Sequence, residues 1–449
     1  MNWYSKIGGT INQTSKSEFL FLGFFISFFT PLFVSSVILG FSVLIIILDF
    51  KKERLVNQDF KENYVLLIPL LLFIWMSVSF LWSIDPITSI KGIPRQLFLL
   101  ILPFFLLIKQ KEIIKNKQKI FNSYVLISVF FTVLFLIRSI IRYFYSGKVS
   151  VFFFHGDYNN DFGLVPKELN AVHVSVFIAL AFLMIIIKVK KTKKDILFSL
   201  LLLLFLLLLS STNILFTTFI LCCIYYFFVS KSANRMRLRN VFLLFVLLIG
   251  IFLFNKIGSF IEQEFKSNTQ KGIGHNVINE TPFFSNRVTL YEAWNKERFS
   301  QKDFFPAMAF RVYQTRIFYE LLQENSIFWN GFGLNASQIK LIEKGQKYNV
   351  FIGNNKIEGY QKKNFHNQYL QIFAELGFLG LLPLLLMIVF SLKKARHDKD
   401  FIHISFTILM ISLFLTESFL WRQRGVLFFI LFYCLLNLTN HSNLENKIQ

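Results

Sequence analysis

Residues 195–210, DILFSLLLLLFLLLLS, are apolar on every side of any helix they could form, so this segment has no polar face to offer water. Similar runs recur along the chain, among them YVLLIPLLLFIWMSVSFLW over 64–82 and VFLLFVLLIGIFLF over 241–254. Each is long enough, or nearly so, to cross a hydrocarbon layer that takes about 20 helical residues. None alternates apolar and polar residues as a membrane barrel strand does, so helices are the expected spanning form. Composition agrees: 54% of the 449 residues are hydrophobic, 59 are phenylalanine and only 16% are charged, far from soluble usage. The expectation is an all-α polytopic membrane protein.

A net charge of +22 could by itself suggest a nucleic-acid partner, but its distribution argues against one. Lysines and arginines cluster at 51–54, 109–119, 188–194, 231–239 and 393–399, always between apolar runs, as positive-inside signals do. With a cytoplasmic N-terminus and the block 19–49 taken as two short spans broken near Pro31, every cluster falls on the cytoplasmic side. The loops 83–95, 146–168, 210–213 and 417–424, on the other side, are poorer in basic residues. About twelve spans result: 18–30, 31–49, 64–82, 96–108, 120–145, 170–187, 195–210, 213–229, 240–255, 367–391, 401–416 and 425–440, with both termini cytoplasmic. Membrane lipids are then the expected surroundings, and no nucleic acid is expected. Nothing at the N-terminus resembles a cleavable signal. Cys222, Cys223 and Cys434 fall inside spans and are expected to pack there, and no histidine pair has the spacing of a metal site. No cofactor and no metal are expected.

The chain divides into spans one to nine (1–255), an extracytoplasmic segment (256–366) and spans ten to twelve with a short cytoplasmic tail (367–449). Within the middle segment, 266–286 has loop composition. Phe310, Val312, Ile317, Phe318, Leu321 and Leu322 are spaced for an amphipathic helix that ends by Asn325, with Gly331 and Gly333 as a turn beyond it. A basic, weakly structured link is expected to follow, and the chain re-enters the membrane at His366. Arg287, Arg311 and Arg316 are candidate anion clamps, because a guanidinium is always charged and donates bidentately to phosphate. His366 is the candidate general base. Arg138 and Arg142 lie four apart on one face near the outer end of span five, Arg95 is at the same level, and His173 is near the outer end of span six. Asn367 and Tyr369 extend the candidate glycan contacts, and a helix from Asn367 would put His366, Tyr369 and Phe373 on one side. Glu417 and Arg422 are expected to pair or to face the interface. These charges outline a site for an anionic lipid headgroup, such as a lipid diphosphate.

The segments RVYQTRIFYELLQENSIFWNGFG and NFHNQYLQIFAELGFLGLLPLLL together resemble the signature of the O-antigen ligase and polymerase superfamily, bacterial membrane glycosyltransferases. Arg311, Gly331 and Gly333, then His366, Asn367, Leu370, Leu376 and Gly377, fall at its motif positions, and 79–90 and 416–425 resemble it more weakly. Where many members carry Ser-Arg at the start of a span, this chain has Thr212 and Asn213. The resemblance implies a GT-C-like helical fold in the bacterial inner membrane with a periplasmic loop. It implies an O-antigen ligase-like transfer of glycan from undecaprenyl diphosphate to an acceptor hydroxyl such as a lipid A-core sugar, inverting and independent of metal and nucleotide. In that scheme His366 takes the proton and Arg311 stabilises the leaving diphosphate. O-antigen or exopolysaccharide polymerase and a protein-glycosylating enzyme stay open within the superfamily. A polysaccharide transporter or flippase is the alternative outside it, disfavoured by unequal numbers of spans on the two sides of the loop.

Overall fold

The computed structural model describes residues 16–50, 63–153, 163–166, 168–188, 190–229, 286–354 and 358–438. The predicted span 240–255, the loop 266–285 and the basic clusters at 51–54 and 231–239 lie outside them. Among the described residues nine helices come first: α1 (Lys16–Phe29), α2 (Leu32–Phe50), α3 (Ile68–Val78), α4 (Pro86–Gln96), α5 (Phe98–Ile108), α6 (Gln110–Ser146), α7 (Ala171–Ile186), α8 (Lys193–Leu209) and α9 (Thr212–Ile224). A polar region follows, with a two-stranded parallel pair β1 (Asn286–Arg287) and β2 (Asp303–Phe304) and helices α10 (Leu290–Asn295), α11 (Ala307–Glu324) and α12 (Ser337–Lys347). The bundle is completed by α13 (Gln368–His397), α14 (Phe401–Thr416) and α15 (Gln423–Asn437).

Among the described residues five segments are long and apolar enough to cross a membrane: Tyr64–Leu81, Pro86–Ile108, Gln110–Ser146, Thr212–Val229 and Gln368–His397. Five further helices among the described residues are apolar but shorter, including Ala171–Ile186 and Gln423–Asn437. The protein is therefore a multi-pass, predominantly helical membrane protein. α7 and α15 are buried almost all round and form the middle of the bundle. Phenylalanine packs that middle: Phe177 lies 5.0 Å from Phe28 and 4.6 Å from Phe428, ring centre to ring centre. Since lipid is as apolar as these side chains, close packing rather than water exclusion holds such helices together. The polar region has its own core around Phe299, Phe305, Tyr313, Tyr348 and Tyr360.

Three expectations are corrected. The stretch 83–95, expected as loop, is mostly α4: Asp85 caps its start by accepting the Thr88 N–H, and Pro86 occupies the first turn. The link before His366, expected to be weakly structured, contains α12, whose Leu341 and Gly345 are buried, Gly345 directly against Gln361. His366 does not share a helical face with Tyr369 and Phe373, because it precedes the helix cap Asn367 and has φ +46°.

α13 is also broken at Gly377, where φ +65° and ψ −167° are accessible only to glycine at low cost. The turn after α11 repairs the break. Phe332 and Gly333 donate their N–H groups to the carbonyls of Ala374 and Glu375, and Phe378 donates to the Phe328 carbonyl. Trp75 Nε1 binds the Leu376 carbonyl at 2.9 Å and Trp82 Nε1 the Asn330 carbonyl at 2.8 Å. A Cβ on Gly331 or Gly377 would strike the other strand's backbone at 2.3 Å or 2.2 Å, so the approach needs glycine on both sides. These bonds fasten the polar region to the end of the bundle where α13 begins.

Candidate functional site

At that end, α14 stops at Thr416 and the chain turns outward with Glu417 extended, φ −151° and ψ 140°. The short turn Phe419–Trp421 then leads into α15. Its backbone is gripped on both sides, since Leu420 donates to Gln368 Oε1 at 2.6 Å and its carbonyl accepts from Gln96 Nε2 at 3.1 Å. Glu417 is thereby held against two other elements. Its Oε2 lies 3.2 Å from His366 Nδ1, and its Oε1 accepts from Asn170 Nδ2 at 3.2 Å. Asn170 is fixed in turn as the cap of α7, accepting the Val172 N–H at 2.8 Å.

His366 is placed by the backbone on both sides of it. Asn367 accepts the N–H groups of Tyr369 and Leu370, starting α13, and its own Nδ2 donates to the Leu415 carbonyl at 3.3 Å. The His366 N–H donates to Asn364 Oδ1 at 3.0 Å. The imidazole stands edge-on to Phe310, 5.7 Å between ring centres, and the side chain is 29% exposed. A left-handed backbone is tolerated by histidine more readily than by branched residues, and it swings the ring off the axis of α13 toward Glu417.

Arg311 reaches the same corner from α11. Its Nε and Nη2 donate to the Thr416 carbonyl at 3.2 and 2.9 Å, and Nη1 donates to the Ala307 carbonyl at 3.1 Å. Three of the five N–H donors of a guanidinium are used in this way. Burial lowers the Arg311 value and the Glu417 charge raises it; a guanidinium stays protonated under either influence. Burial pushes the Glu417 value up, but the His366 hydrogen bond and the electrostatic pull of His366 and Arg311 on the ionised form outweigh it and hold the carboxyl down to about 2. The corner therefore holds a firmly ionised carboxylate, an imidazole and a guanidinium. An imidazole whose Nδ1 faces a carboxylate has Nε2 as the nitrogen able to take a proton, and the carboxylate stabilises the imidazolium that forms.

The other sequence candidates divide by position. His173 belongs to this neighbourhood, since it is 2% exposed, its ring centre is 4.5 Å from that of Phe419, and its Nε2 has no partner among the described residues. Tyr369 packs its ring on Phe414, 6.1 Å between centres. Arg138 donates to the carbonyls of Gly163 and Leu164 at 2.7 and 3.2 Å, bracing the chain that leads to Asn170, and Arg142 is half-buried one turn further along α6. Arg95 ends α4, exposed, within electrostatic reach of the buried Glu375. Arg287 lies in β1, opposite Phe304. Arg316 is in a different network: it binds Glu320 at 2.9 Å, the Lys296 carbonyl at 2.8 Å and the Tyr348 hydroxyl at 3.0 Å.

Glu417 was expected to pair with Arg422 or face the interface, and it pairs with His366 instead. Asn170 is not among the candidates the sequence offers. The signal for Glu417 was an acidic residue at the mouth of an apolar span, within the weaker matching segment TESFLWRQRG. Asn213 bears on the same corner: its Nδ2 donates to the Ser412 carbonyl at 2.9 Å and to Thr416 Oγ1 at 2.8 Å, bracing the helix end that holds Arg311.

Residues 196–385 match the family model described as O-antigen ligase. No curated protein matches the chain.

Proposed function

We propose that this chain, whose residues 196–385 match the O-antigen ligase family model, belongs to the O-antigen ligase and polymerase superfamily and is an inverting glycosyltransferase of the bacterial inner membrane. It moves a glycan from undecaprenyl diphosphate to a hydroxyl of a lipid A-core sugar on the periplasmic side, where the polar region lies. The observation that carries this reading is the convergence of His366 and Arg311 on one corner, with Glu417 between them. An acceptor hydroxyl at His366 Nε2 loses its proton to the imidazole as its oxygen attacks the anomeric carbon. The bond to the diphosphate oxygen breaks, and its electron pair leaves with undecaprenyl diphosphate. Ionised Glu417 fixes the Nδ1–H tautomer and stabilises the imidazolium, while the remaining N–H donors of Arg311 meet the charge that grows on the leaving phosphate. A single displacement inverts the anomeric centre.

Transfer is tested in membranes with an undecaprenyl-diphosphate-linked oligosaccharide and lipid A-core as acceptor. The expected result is glycosylated lipid A-core with wild type and none with His366→Ala at equal expression. Product from the variant at the wild-type rate would overturn the reading. Surface glycans of a deletion strain settle the acceptor: unsubstituted core with accumulated lipid-linked polymer means ligase, and core carrying one repeat unit means polymerase.

A further inference from the structure

Lys363 lies three residues before His366, just after the short turn Tyr360–Lys362. Its ammonium sits between two aromatic rings, 5.6 Å from the centre of Phe310 and 5.2 Å from that of Tyr360. Phe310 is the same ring that His366 stands against, at 5.7 Å, and it precedes Arg311 in the chain. Among the described residues no carboxylate lies within ion-pair distance of Lys363, and Glu358 acts on it only from further away. Burial lowers the Lys363 value from the ordinary lysine range, which marks an ammonium that has lost water without gaining an anion. Ring faces compensate such a charge only in part.

We infer that Lys363 is a substrate-binding residue of this site whose ammonium donates to the phosphate oxygens of the lipid-linked donor. The inference rests on the proposed transfer from a lipid diphosphate. A lysine suits this task as a compact charge with three rotatable donors, complementing the fixed fork of Arg311. Phosphate chemistry is shared by the donor's diphosphate and by phospholipid headgroups, and the assignment is to the donor because Lys363 flanks the ring that His366 touches.

The test uses the full chain in phosphatidylcholine nanodiscs, titrated with undecaprenyl diphosphate. Lys363→Met keeps the aliphatic stem on the rings and removes only the charge. It is expected to weaken binding about tenfold or more and to raise KM for the donor, with kcat and the acceptor KM nearly unchanged, while Lys363→Arg stays within about threefold of wild type. Should Lys363→Met not fold, acylation footprinting of wild type decides: undecaprenyl diphosphate protects Lys363 and undecaprenol does not. Equal binding by wild type and Lys363→Met, or no protection, overturns the inference and leaves the proposed function standing. A wild type that binds no undecaprenyl diphosphate overturns both. A difference that shows only as altered competition by phosphatidylglycerol would assign the lysine to bilayer headgroups and overturn the donor assignment.

Discussion

Arg311 and Arg316 stand five residues apart on one helix and differ entirely in what surrounds them. Arg316 is saturated: Glu320, the Lys296 carbonyl and Tyr348 take its donors, its guanidinium carbon lies 4.5 Å from the centre of the Tyr348 ring, and Glu320 also binds Lys344. Arg311 is held by backbone carbonyls, which fix its position without neutralising its charge, and the nearest carboxylate, Glu417, is engaged by His366. Two residues of one type on one helix thus serve as a structural strut and as an available cation. Partners decide which, because an ion pair consumes the charge that a substrate phosphate would need.

The sharpest test of this contrast is His366→Ala. Loss of a general base should cut transfer by about 10³-fold with unchanged thermal stability, measured on purified membranes. Glu417→Gln comes next, at about 10²-fold, since the tautomer and the imidazolium lose their support. The same variant tests the electrostatics. Glu417 is held at about 2, below its ordinary value of 4.5. Its contribution is therefore complete above about pH 4.5 and is lost as pH falls toward about 2, on the order of 3 kcal/mol. Wild type should lose more thermal stability between pH 6 and pH 3 than Glu417→Gln does, and parallel losses would contradict the pairing.

Arg311→Lys should follow at roughly 10- to 30-fold, because an ammonium cannot grip the Thr416 carbonyl with two donors and still present a fork. Donor KM and kcat measured separately check this, and a rate near wild type would reduce Arg311 to a solvated charge. Arg316→Ala should move transfer least and lower stability by about 1–2 kcal/mol, read as a shift in Tm, since Glu320 and Tyr348 lose a common partner. A collapse of transfer at undiminished Tm would place Arg316 in the site and break the comparison.

Much of this was legible in the chain. Among the described residues the apolar runs are helical, those expected at 96–108 and 120–145 within longer helical stretches from Pro86 and Gln110, the amphipathic segment ends at its cap Asn325, and His366 stands at the mouth of α13. Two features could not be anticipated. Glu417 lies 51 residues from His366, and its choice of partner over nearby Arg422 depends on Gln368 and Gln96 gripping the turn at Leu420. The break at Gly377 is equally non-local, since an isolated glycine in an apolar run is compatible with a continuous helix until a second backbone comes close enough to take the freed groups.

Sequence by itself determined the elements and the candidates for chemistry, because hydrophobic periodicity, caps and charge runs act within a few residues of one another. Only the tertiary structure decided which candidates share a site. Side-chain reach is a few ångströms, and the contacts that select Arg311 over Arg316 and join His366 to Glu417 form between segments that are remote in the chain.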